Sequence, residues 1–146
     1  MRLPPRALPA VIAALLLVAV AFAGCGSDDS KSSDMRALVT FAKSGGIAGK
    51  AYALTVDRGG GAQLTTYPSK IKRFTIGGDK RDELIGLLGG FAGLQSSYEP
   101  GTPVADAFRY SVTYERKNVQ ASDNAKLPDK LRSLIDLLDG IVDDEI

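Results

Sequence analysis

Phe108-Arg109-Tyr110-Ser111-Val112-Thr113-Tyr114-Glu115 is the stretch on which the fold turns. Its large side chains fall on every second residue with polar ones between them, the period of a strand with one buried and one wet face. A tight turn near residues 116–118 sends the chain back through Val119 and Ala121, so the stretch is the first arm of a hairpin. Beyond it, Pro128 suits the first position of a helix, and Leu131, Leu134, Leu138 and Ile141 recur along one helical stripe. Tyr110 and Leu134 are therefore expected in the core. The acidic run Asp143-Asp144-Glu145 follows and reads as solvated charge.

Working upstream, residues 95–103 read as a polar loop holding two prolines. Leu84, Leu87, Leu88 and Phe91 make a second apolar stripe, which predicts a helix over Lys80–Gly90. Asp79 is its expected N-cap, with Asp82 and Glu83 set against the helix dipole. Gly77-Gly78 separates that helix from Lys70–Ile76, where Ile71 is out of phase with Phe74 and Ile76. The mismatch predicts a short edge strand, either bulged or with its lysines turned to solvent. Tyr52, Leu54 and Val56 alternate, and Leu64 and Thr66 continue the pattern after Arg58-Gly59-Gly60-Gly61, which predicts a hairpin over residues 51–67 ended by Pro68. Arg36–Lys43 (RALVTFAK) reads as a first, mostly buried strand. The predicted order is β-β-β-β-α-β-β-α. Tight turns imply antiparallel pairing, and two one-sided helices against a one-sided sheet imply an α+β two-layer sandwich of about five to six strands with both helices on one face.

The 146 residues include 18 Lys and Arg, 17 Asp and Glu, no His and one Cys. Arg2 and Arg6 precede the apolar run at the N-terminus, and the remainder is close to neutral. No concentrated positive field is therefore available to draw in nucleic acid or an anionic lipid surface. The absence of His removes Ser-His and Cys-His nucleophiles, His-ligated zinc and imidazole pH switches.

From Ala10 to Ala23 the chain reads AVIAALLLVAVAFA, without a polar side chain. A spanning helix needs about 20 apolar residues and a secretory h-region about 7–15, so residues 1–24 read as a signal peptide. Phe22-Ala23-Gly24-Cys25 resembles the lipobox of bacterial lipoproteins, which implies cleavage before Cys25 and diacylation of that cysteine. Lipidation also accounts for a lone thiol in an exported chain, and two acyl chains are enough for stable anchoring. The expected location is the extracytoplasmic side of a bacterial membrane. Residues 25–34 are then the lipidated cysteine and a flexible tether, too polar to bury surface, and 35–146 is a single folded domain.

Without His, catalysis would need a carboxylate pair, a Ser-Lys dyad or an oxygen-ligated metal. Asp28-Asp29 falls in the tether, while Asp106 and Asp123 flank strands in loops where carboxylates commonly cap turns. The chain reads as a non-enzyme with no catalytic residue, metal or cofactor. Ser44-Gly45-Gly46-Ile47-Ala48-Gly49 lacks the Gly-Lys-Ser/Thr ending of a phosphate loop and opens into a strand. Its glycines suit a tight connection with positive φ. The same compact loop, without large side chains, is able to enter a narrow cleft.

With its surroundings, this segment resembles the emfourin family of protein inhibitors of thermolysin-like metalloproteases. The likeness runs through LVTFAKSGGIAGKAYALTVD (Leu38 to Asp57), the helix around Leu84–Phe91, DAFRYSVTYE (Asp106 to Glu115) and KLPDKLRSLIDLL (Lys126 to Leu138). It covers nearly the whole domain in order; an extra hairpin lies between Arg58 and Ile76. The resemblance implies a reversible inhibitor that occludes a metalloprotease, with Ser44, Gly45, Gly46, Ile47, Ala48 and Gly49 as the partner-binding loop. Gly46→Arg is then expected to weaken inhibition while the fold survives. The other function class is a non-inhibitory envelope lipoprotein that binds a peptide, a protein or a cell-wall component.

Overall fold

The structure, a computed structural model, describes residues 36–146. The leader, Cys25 and the tether lie outside the described residues. Strands β1 (Ala37–Gly45), β2 (Lys50–Asp57), β3 (Gly61–Thr66) and β4 (Lys70–Thr75) come first, followed by helix α1 (Gly78–Leu88) and a single 3-10 turn at Phe91–Gly93. Then come β5 (Ser97–Tyr98), β6 (Phe108–Tyr114), β7 (Lys117–Ser122) and helix α2 (Asp129–Asp143).

The strands form one sheet in the order β4-β3-β2-β1-β6-β7-β5. The fold is α+β as expected, but the sheet has seven strands and is mixed, because β5 pairs parallel with β7. Two residues within a polar loop carry no period that a sequence reading could detect. What holds them is distant in the chain, including a hydrogen bond from the Gln120 N–H to the Ser96 carbonyl at 2.9 Å.

Register explains the core. Phe41 lies between Leu54 and Val112, and Leu64 and Val119 extend the same row. Val39 lies between Val56 and Tyr114 in the next row. These side chains share one face of the sheet and join Leu84, Leu88, Phe91, Leu131, Leu134 and Leu138 in one hydrophobic cluster. Each fully buried Leu or Phe contributes about 1.5–3 kcal/mol. Leu134 is among the buried residues, and Tyr110 packs against the cluster partly exposed. The other face carries Thr40, Thr55, Gln63, Ser111 and Thr113, and the Asn118 amide donates to the hydroxyls of Ser111 and Thr113 at 2.8 Å.

Several element ends differ from the sequence reading. The cap of α1 is Gly77, without a side-chain hydrogen bond, and Asp79 sits inside the first turn, where its charge still complements the dipole. Pro128 is the residue before α2, with an extended ψ of 144°, so the helix begins at Asp129. Between β3 and β4 the register runs unbroken from Gly61 opposite Thr75 to Thr66 opposite Lys70, so β4 has no bulge. Its lysines do face solvent, and Ile71 stands exposed on the outer face. The β2–β3 turn is held by the Asp57 carboxylate, which accepts the N–H groups of Gly59 at 2.7 Å and Gly61 at 2.9 Å.

Candidate functional site

Ser44 and Gly45 end β1, and residues 46–49 make the turn into β2, closed by the Gly49 N–H on the Gly46 carbonyl at 2.9 Å. Gly45 has φ 109° and Gly46 φ 73°, a region that side chains with a Cβ rarely enter. Space is short as well. A Cβ on Gly45 would run into the Ala107 carbonyl, and one on Gly46 would lie 2.6 Å from the Phe108 ring. The glycines therefore let the turn lie flat against the start of β6, which braces it.

At the apex, Ile47 is 93% exposed. The close approach also corrects the expectation for Gly46→Arg. That change would strain the backbone and displace Phe108, so it would test the scaffold together with the surface; Ile47 is the position that tests the surface alone.

Beneath the turn lies a cluster that the sequence reading missed. The Lys43 ammonium sits 4.5 Å from the centroid of the Phe108 ring, 5.6 Å from that of Tyr110 and 5.9 Å from that of Tyr52. It forms an ion pair with Asp139 of α2, and the Tyr52 hydroxyl donates to the other oxygen of the same carboxylate. Three aromatic faces and one carboxylate thus surround a cation whose side chain is 14% exposed. Burial, and then the hydrogen bond to Asp139, push the Tyr52 phenol far above its ordinary value. Burial, with the negative charge of Asp139 behind it, pushes Tyr110 up to about 12. Both phenols remain protonated at neutral pH and cannot serve there as bases. The cage is filled by the chain's own lysine, so it ties the sheet to α2 and holds no open position for a substrate.

Two weak signals of this cluster exist in the sequence. Lys43 continues the inward alternation of Val39 and Phe41, and Asp139 continues Leu131 and Ile135 at four-residue steps. Opposite charges at two inward positions imply a pair.

Asp106 and Asp123 are both exposed in turns. The acidic end of the chain is exposed at Asp143 and Asp144, in keeping with solvated charge, and makes two surface ion pairs: Asp144 with Lys80, and Glu145 with Lys72 at 2.7 Å. Among the described residues, no group of three or more His, Cys, Asp or Glu side chains could hold a metal ion. A cleft of about 1030 Å³ opens beside the hairpin, lined in part by Lys50, Tyr67, Lys70, Phe108 and Glu145. Set against known proteins, the sequence matches no family model and no curated protein.

Proposed function

We propose that the protein is a lipid-anchored, extracytoplasmic binding protein that reversibly inhibits a thermolysin-like metalloprotease by presenting the β1–β2 turn to its cleft. The observation that carries this reading is Ile47, an apolar side chain 93% exposed at the apex of a turn whose glycine backbone rests on Phe108. An apolar apex on a braced hairpin loses little conformational freedom on binding, which favours affinity. The resemblance of the segment around Ser44–Gly49 to emfourin supplies the class of partner. Inhibition proceeds by occlusion, since a chain without His offers a zinc ion only carboxylates, carbonyls or the acylated Cys25.

Purified protein is expected to inhibit at least one enzyme of this class. Ile47→Asp should weaken inhibition by about 10-fold or more, equivalent to about 1.4 kcal/mol, with unchanged thermal stability. Full protease activity at micromolar protein across several such enzymes would refute the reading. For the anchor, Cys25→Ser is expected to move the protein from the membrane fraction to the soluble one, because the two acyl chains supply the membrane affinity. Equal membrane retention of mutant and wild type, with no acyl label on Cys25, would refute it.

A further inference from the structure

We infer that β4 is a docking edge that takes up an acidic, extended segment of a partner protein as an added strand. The inference does not rest on the protease reading. Among the described residues, β4 ends the sheet and pairs only with β3. In an antiparallel ladder, alternate residues direct their N–H and C=O toward the neighbouring strand. The Ile76 N–H bonds to the Gly60 carbonyl at 2.9 Å, in phase with Phe74, Lys72 and Lys70, whose backbone groups therefore face β3. Those of Ile71, Arg73 and Thr75 face outward, and among the described residues no turn, loop or side chain takes them up. Such a row is a template for another strand.

Charge selects the occupant. β4 carries Lys70, Lys72 and Arg73; Lys70 has no ion pair among the described residues, and Arg73 bonds only to the neutral Gln63 side chain at 3.1 Å. A second copy of β4 pairing antiparallel would set these cations against one another, which is unfavourable, whereas carboxylates across from them are favourable. The chain already shows that carboxylates suit this rim, since Glu145 occupies Lys72 and Asp144 occupies Lys80 of α1. Clefts of about 1030 and 380 Å³ border β4 around the Lys72–Glu145 pair, room for side chains of an added strand that turn toward the helices. Exposed Ile71, on the outer face, offers an apolar neighbour. The lysines that protect this edge against self-association thereby set the sign of the partner.

The test uses the full chain in detergent micelles and a fluorescent synthetic peptide of alternating Glu and Val. Its controls are the same peptide N-methylated at alternate amides and a peptide of alternating Lys and Val. The acidic peptide is expected to bind, with both controls weaker by about 10-fold or more, and binding should slow amide exchange at Ile71, Arg73 and Thr75. Ile71→Pro removes an outward N–H without touching the β3 ladder and should abolish binding. Should that variant fail to fold, the charge reversal Lys70→Glu carries the test: Lys70 lies on the same face as Lys72, the face toward which the peptide's carboxylates turn, and the change is expected to weaken binding by about 10-fold. Equal binding of the N-methylated peptide, unchanged exchange at the three amides, or no binding of the acidic peptide would overturn the inference.

Discussion

Leu134→Ala is expected to lower unfolding free energy by about 3–5 kcal/mol, read by chemical denaturation of the purified protein. Leu134 is 1% exposed on α2 and belongs to the same cluster as the sheet residue Phe41, which is fully buried. Deleting its side chain loses the transfer free energy of the removed groups and leaves a cavity. The facing row of β-sheet residues is fixed by hydrogen bonds on both sides and cannot collapse into it. Phe41→Ala should be similarly severe, at about 3–5 kcal/mol, because β1 is the central strand of the sheet. A loss below about 0.5 kcal/mol at either residue would mean that the helices cover the other face.

The second large effect belongs to the caged ion pair. Asp139→Ala is expected to cost about 2–3 kcal/mol, less than the roughly 3–5 of a fully buried pair, because Lys43 and Asp139 are 14% and 22% exposed and water reaches them. The mutation strands the Lys43 cation among three rings and takes the acceptor from the Tyr52 hydroxyl. Alkaline pH provides an independent readout. Tyr52 and Tyr110 hold their protons more tightly folded than unfolded, so above the ordinary phenol value the native state binds more protons. Their contribution is fully present below pH 10 and is lost as the pH rises past it, toward about 12 for Tyr110. Asp139 is one source of that elevation, so the variant's stability should fall less steeply over the same range. Parallel curves for wild type and variant above pH 10 would separate Tyr52 from Asp139.

The carboxylate also shows where reading from sequence stops. Lys43 and Asp139 are separated by 96 residues, and each alone looks like a charge at the margin of an apolar stripe. The hairpin of β6 and β7 was plain in the alternation of Phe108–Glu115, and the two helices in their leucine spacing, since each signal lies within a few residues. At the turn, the need for glycine was legible as a demand for positive φ. The brace was not, because Phe108 lies far along the chain from Gly46. The surface partners of the acidic end are likewise beyond local reach, because Lys72 and Lys80 belong to β4 and α1.

The six longer strands, both helices, the one-sided character of sheet and helices, and the edge nature of β4 are legible in the sequence, because side-chain periodicity and glycine chemistry act over one or two turns of chain. Tertiary structure alone decided that β1 occupies the centre between β2 and β6, that β5 exists, and that Lys43 finds Asp139. These depend on which strands become neighbours. Neighbours are chosen by burying the apolar faces together while satisfying every ladder and buried charge at once, a condition on the whole chain that no local window contains.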